Sequence, residues 1–159
     1  MSAVPILLDA MVSRWGDALD DWTVTYGWDG TQNTGDYLMI GADDPFSSEG
    51  EAATTEEDFA TATREGIKET GEITCVAFSW NGQADGQREA TERVYAALKV
   101  MQDDIHLYPD LQLERRPEFM VNALNIASTA LHHGLDEDGT QAMLVIRIQF
   151  EAYRRADPS

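Results

Sequence analysis

Apolar residues recur at two different periods along this chain, and the alternation between the periods predicts its elements. Ser2 can cap a first helix with Pro5 in its opening turn, where a missing N–H costs nothing. Leu7, Met11, Arg14, Trp15 and Ala18 then recur at helical spacing. Arg14 alone spoils an otherwise apolar stripe. Trp22 to Trp28 alternates large apolar residues with small ones and runs into the turn signal Asp29-Gly30, which predicts a first strand, and Tyr37 to Gly41 predicts a second. Asp43 to Asp58 is acidic and small, holds Pro45 and Gly50, and lacks a sustained apolar period, so it predicts a long mobile loop.

Phe59 to Glu65 and Glu72 to Trp80 predict the next two strands, joined by a short charged segment around Gly66 and Gly71. In the second of them Val76, Phe78 and Trp80 face one way and Ile73, Cys75 and Ala77 the other, the mark of a central strand covered on both faces. A second helix from about Gln87 to Asp104, capped by Asp85, has the stripe Ala90, Val94, Ala97, Leu98, Met101 and Ile105. Arg88, Glu92, Lys99 and Asp103 make its solvated face. Pro109 ends the helical register, and Leu111 to Pro117 leads on. Two extended runs, Val121 to His133 and Gln141 to Tyr153, then form a hairpin whose acidic connection Gly134 to Gly139 carries the turn chemistry and is expected to project into water or against a partner. In the last strand Leu144, Ile146, Ile148, Phe150 and Ala152 form a core face. Met143, Val145, Arg147, Gln149, Glu151 and Tyr153 form a mixed, half-exposed face suited to a subunit contact. The order of elements is that of an α+β fold over residues 1–159 as a single domain, with a mostly antiparallel mixed sheet and two main helices packed on one side.

Composition narrows the function. At 159 residues the chain is one domain in size, and 43% hydrophobic residues suffice for a core. Against 29 Asp and Glu stand 11 Lys and Arg, a formal net charge of −18. That charge repels nucleic acid and anionic lipid, which disfavours a DNA-binding role. Cys75 is the single cysteine, so an internal disulfide and a multi-cysteine metal site are both excluded. The apolar run at the N-terminus has no basic flank and no stretch reaches membrane-spanning length, so the protein is expected to be soluble and cytoplasmic.

Candidate chemistry is sparse. His132 and His133 are neighbours in a strand and point to opposite faces, so they cannot share one metal, and His106 is remote in sequence. Asp136-Glu137-Asp138-Gly139 has the composition of a calcium loop, but its glycine comes two positions early and the downstream bidentate glutamate is missing. Cys75 shares a strand face with Ile73 and Ala77, which predicts an inert buried thiol. Trp15, Trp22, Trp28 and Trp80 are better explained by core packing and subunit contact than by a ligand cage. No catalytic residue, cofactor or metal is expected, and the chain does not read as an enzyme.

Several phrases, in their order, resemble the tail terminator proteins of long-tailed bacteriophages, particularly those infecting actinobacteria. They are Pro5-Ile6-Leu7-Leu8 opening the first helix, Trp28-Asp29-Gly30, and Leu38-Met39-Ile40-Gly41 followed by Asp43-Asp44. Further along come Glu72-Ile73-Thr74-Cys75-Val76 with its closing Asn81-Gly82, Leu107-Tyr108-Pro109-Asp110-Leu111, and the final strand from Gly139 to Arg155. The resemblance implies a virion protein at the junction of tail and neck. Such proteins assemble, usually as hexameric rings, on the end of a finished tail tube, stop the addition of tube subunits and meet the head connector or stopper.

The resemblance implies as partners further copies of the chain, the tail tube protein and the connector, with genome DNA passing through unbound. A chain of this length makes a globule roughly 40 Å across, so six in a ring leave a hole of similar width. The cost is repulsion between subunits that each carry −18. Arg147, Arg154 and Arg155 on the last strand, with Arg115 and Arg116 before it, are the candidate interface cations. Asp43, Asp44 and Phe46 in the predicted loop are candidate partner contacts. Two other readings fit the same pattern: another joining protein or minor tail protein of the neck, and, more distantly, a small α+β enzyme resembling nuclear transport factor 2, whose curved sheet encloses a pocket.

Overall fold

The computed structural model describes residues 2–28, 35–43, 45, 51–59, 66–83, 85–114, 119–136 and 139–155. Helix α1 spans Val4–Ala18 and α2 spans Gln87–Leu107, with six strands: β1 Thr23–Tyr26, β2 Asp36–Ile40, β3 Ala53–Phe59, β4 Gly66–Asn81, β5 Phe119–Asp136 and β6 Gly139–Arg155. They form one sheet in the order β1-β2-β4-β6-β5, with β3 also paired to β4. Every pairing is antiparallel except β1 with β2, which run parallel. This is the expected α+β architecture. Both helices lie on one face, because Leu7, Met11 and Trp15 of α1 and Ala90, Val94, Met101 and Ile105 of α2 share one buried cluster with Leu38, Ile73, Cys75, Leu144, Ile146 and Ile148.

The α2 stripe is the one the sequence predicts, whereas in α1 Leu7, Met11 and Trp15 are buried as expected but Ala18 is exposed and Leu8 is buried in addition; the helix ends also differ in detail. Ala3, not Ser2, occupies the N-cap of α1 and makes no side-chain cap bond. The Ser2 hydroxyl instead accepts the Val4 N–H. The N-terminus of α1 is capped from the sheet: the Ala3 N–H donates to Oε1 of the fully buried Glu69 at 2.7 Å. A carboxylate there also complements the positive end of the helix dipole. Gly86 rather than Asp85 precedes α2, with no side-chain cap. On the exposed face of α2 the pairs Arg88–Glu92 and Lys99–Asp103 span one turn, the ordinary solvated pattern.

Arg14 is explained by what it meets. Its guanidinium takes both oxygens of Asp104 on α2, Nε to Oδ2 at 2.9 Å and Nη2 to Oδ1 at 2.6 Å. The Trp15 indole N–H donates to the same carboxylate at 3.0 Å. Nη1 reaches the Leu111 carbonyl and the Gln112 side chain, and the guanidinium lies 5.1 Å from the centre of the Tyr108 ring. An apparent flaw in the stripe is thus the clamp between the two helices.

Three of the predicted element boundaries are corrected. The first strand is shorter than Trp22 to Trp28, because Gly27 turns into the left-handed region (φ 70°) and donates to the Ile40 carbonyl. The long loop does not reach Asp58, since Ala53–Phe59 is a strand in register with Ile67–Ile73. Glu72 to Trp80 is not preceded by a separate segment at Gly66 and Gly71. Those glycines lie inside β4, which runs unbroken through sixteen residues. Of the third strand, expected at Phe59 to Glu65, only Phe59 is among the described residues, at the end of β3; residues 60–65 lie outside them.

One backbone exchange accounts for the new layout. β2 occupies the edge of the C-terminal half of β4, and β3 the same edge of its N-terminal half. At the changeover the Thr74 carbonyl accepts from Ala42 and the Thr74 N–H donates to Ala52, at 3.0 and 2.9 Å. The backbone of β4 therefore stays paired along both edges, and its glycines do not interrupt it.

The closing hairpin is longer than predicted, with β5 continuing to Asp136 and pairing there with Gly139, while residues 137 and 138 lie outside the described residues. Two register shifts, between Val121 and Ala123 and between Ile126 and Ser128, bend β5 at the sheet edge.

Candidate functional site

The face of the sheet opposite the helices is the candidate functional surface, and alternation along β4 and β6 builds it. Its apolar end is a second buried cluster of Met39, Ala42, Val76, Phe78 and Val145, rimmed by Tyr37, Trp80, Ala130 and Met143. The outward face of the last strand is therefore more apolar than a half-exposed surface at this end, where Val145 is fully buried.

Its other end is polar. Thr54 and Glu56 of β3, Lys68, Thr70 and Glu72 of β4, and Arg147, Gln149 and Glu151 of β6 fall in register across the sheet. A trough of about 520 Å³ runs over them, lined by Thr54, Glu56, Thr70, Glu72, Gln149 and Glu151 among others. Arg147 Nε lies 3.5 Å from Glu72 Oε1 and Lys68 Nζ lies 3.8 Å from Glu151 Oε1. Each basic group thus answers a carboxylate on the adjacent strand, leaving a face of alternating sign over a carboxylate-rich floor. Such a face can dock a polar or cationic surface, and its cross-strand pairs hold the long side chains in place.

The residues expected from sequence are distributed as follows. Arg147 lies on the outward face, as predicted, but it is engaged within its own chain by Glu72. Arg154 and Arg155 end β6, in register with Ile67 and Gly66. Seven residues of strand separate Arg147 from Arg154, about 23 Å, so the three arginines do not form one cluster. Asp43 is exposed immediately after Ala42. Asp44, Phe46, Arg115 and Arg116 lie outside the described residues.

The row Lys68, Thr70, Glu72 was not anticipated, because it falls where the sequence predicts a joining segment. The period-two alternation of Lys68-Glu69-Thr70-Gly71-Glu72 is the signal that could have found it. Replacing Arg147 by glutamate, which sets like charges side by side at a partly exposed site, is expected to cost about 1 kcal/mol. Urea unfolding would measure it, and Glu72→Lys in the same chain should restore most of the loss.

Other candidate groups are accounted for by packing. Cys75 is fully buried, and burial pushes its thiol up to about 12, so it is protonated and inert at neutral pH. The Thr91 hydroxyl gives its hydrogen to the Gln87 carbonyl, so it accepts at 2.8 Å from Nε2 of His133, which therefore carries a proton. Trp15 is core, Trp22 is half-buried against it, Trp80 rims the second cluster and Trp28 is exposed. Among the described residues no three His, Cys, Asp or Glu side chains are grouped to hold a metal, and no helix is long and apolar enough to cross a membrane. Compared with models of known protein families and with curated proteins, the chain matches none.

Proposed function

We propose that this chain is a structural subunit that assembles into a ring closing the tail tube of a long-tailed phage, the role its sequence phrases resemble. The observation that favours the reading is the sheet itself. One face is sealed by both helices over an apolar core, and the other presents a row of paired charges beside the partly exposed rim, Tyr37, Trp80, Ala130 and Met143, of a buried apolar cluster. A subunit built in this way has surfaces to contact neighbours above, below and beside it. Another joining protein of the same neck would share these features, and contact with the tube protein separates the two.

Repulsion between copies that each carry −18 must be screened or offset on assembly. Moderate salt is therefore expected to favour the ring, since the Debye length falls to about 8 Å at 0.15 M. Negative-stain imaging of the purified protein, alone and mixed with tail tubes, should show rings with a central hole and rings capping tube ends. A protein that stays monomeric under both conditions would overturn the proposal, and dissociation by salt would identify ion pairs as the dominant attraction.

A further inference from the structure

We propose that the outer edge of β5 is the surface at which copies of this chain meet, by addition of a strand from a second copy. The observation is one of charge. A quarter of the residues are charged, yet the run Phe119 to Leu135 contains no Asp, Glu, Lys or Arg, the longest such run in the chain. Burial does not explain it. β4 is covered on both edges and carries Lys68, Glu69 and Glu72, and β6 lies inside the sheet and carries Arg147 and Glu151. β5 ends the sheet, and Asn122, Ala123, Asn125, Ala127, Ser128, Thr129, His133 and Leu135 are exposed on it. The most exposed of the three long strands is the one that carries no charge before its last residue, Asp136.

Exposed edges are normally guarded by charged side chains, because a free row of N–H and C=O groups invites pairing. β3 is guarded in this way, with Glu56 and Glu57 exposed along it. β5 has its two bulges instead, and both lie before Ser128, so Ser128 to Leu135 is a regular, uncharged stretch in unbroken register with β6. An added strand finds there the backbone partners it needs and no side chain that repels it.

The missing charge also selects the occupant. A cationic partner would be recognised by carboxylates, which this strip lacks. A second body carrying −18 can approach closely only where carboxylates are absent, and a copy of this chain is such a body. The surface that meets this requirement on a second copy is its own β5: the two edges can pair antiparallel about a two-fold axis, which brings together two strips that both lack charge from residue 119 to residue 135. The proposal goes beyond the ring reading above by naming an edge at which two copies pair.

The test compares the wild type, Ser128→Asp with Thr129→Asp, and the control Ala96→Glu with Gln102→Glu, which adds the same charge to the exposed face of α2. Sedimentation across a concentration series should show the β5 variant associating about tenfold more weakly or not at all, while the control matches the wild type. Amide exchange on the wild type needs no variant: amides within 128–135 should slow on association. Equal association of variant and wild type, a monomeric wild type at every concentration, or unchanged exchange at 128–135 in the assembled protein would each overturn the proposal. Association through this edge without capture on tail tubes supports it and overturns the tail-terminator reading instead.

Discussion

Replacing Asp104 by alanine is expected to lower the unfolding free energy by about 3 kcal/mol, the low end of what breaking a buried ion pair costs, because this pair is partly buried and also holds the Trp15 indole. The loss has three parts. The guanidinium of Arg14 loses both carboxylate oxygens, the Trp15 indole N–H loses its acceptor, and α1 is no longer tied to α2 at this point. Side-chain exposures of 23% for Arg14 and 19% for Asp104 leave the stranded charge little access to water. In a chain of this size such a loss lowers the melting temperature by roughly 6 to 12 °C. Asp104→Asn, which keeps an acceptor for the indole, should lose about half as much.

The pH dependence follows from the same contacts. Hydrogen bonding to Arg14, reinforced by the Trp15 N–H, holds the Asp104 carboxyl below its ordinary value of 3.8 against the opposing effect of burial. A group depressed by folding stabilises fully above its unfolded pKa and ceases to do so as the pH falls through its folded pKa. The stability gap between wild type and Asp104→Ala should therefore be constant above about pH 5 and narrow progressively in acid below about pH 4. Thermal unfolding from pH 7 to pH 3 measures it, and a gap that widens in acid would refute this account of the clamp.

Gly71→Val is the second large effect. A Cβ on Gly71 would run into the Thr54 carbonyl oxygen of β3 and the ring of Phe150 on β6, so a valine must push away either the edge strand or a core side chain. The cheaper response is loss of β3, which among the described residues pairs with β4 alone. Overpacking costs about 1 to 3 kcal/mol, and unpairing the strand adds to it, so a loss of about 3 kcal/mol is expected. Amides of residues 53–59 should exchange rapidly in the variant while those of 142–148, at the centre of the sheet, stay protected. An unchanged urea midpoint together with a protected β3 would show that the sheet absorbs the methyl groups elsewhere.

The sequence was legible where structure depends on a local period. The buried residues of α2 are Ala90, Val94, Ala97, Leu98, Met101 and Ile105, the predicted stripe without addition or loss. The core face of β6 is likewise Leu144, Ile146, Ile148, Phe150 and Ala152, and Cys75 lies where an inert thiol was expected. β3 was not legible because its run Thr54-Thr55-Glu56-Glu57-Asp58 has no apolar period, and an edge strand needs none when its backbone is paired. Of the candidate site, the face that carries Arg147 could be read, but its partner Glu72 could not, because β4 comes much earlier in the chain and cross-strand register joins them.

By itself, then, the sequence determined the two helices, the buried stripe of α2 and most of that of α1, the core faces of the central and closing strands, and the acidity that any assembly must overcome. These are properties of a residue and its near neighbours, since side-chain period and charge are local. Only the tertiary structure decided that β2 and β3 share one edge of β4, that β1 and β2 run parallel, that Arg14 is a clamp and not a flaw, and that the uncharged run from Phe119 to Leu135 lies at the edge of the sheet formed by the described residues. Each of those depends on which distant backbone or side chain supplies a hydrogen-bond partner. A buried polar group must find such a partner, but its own sequence neighbourhood does not say where in the chain the partner lies.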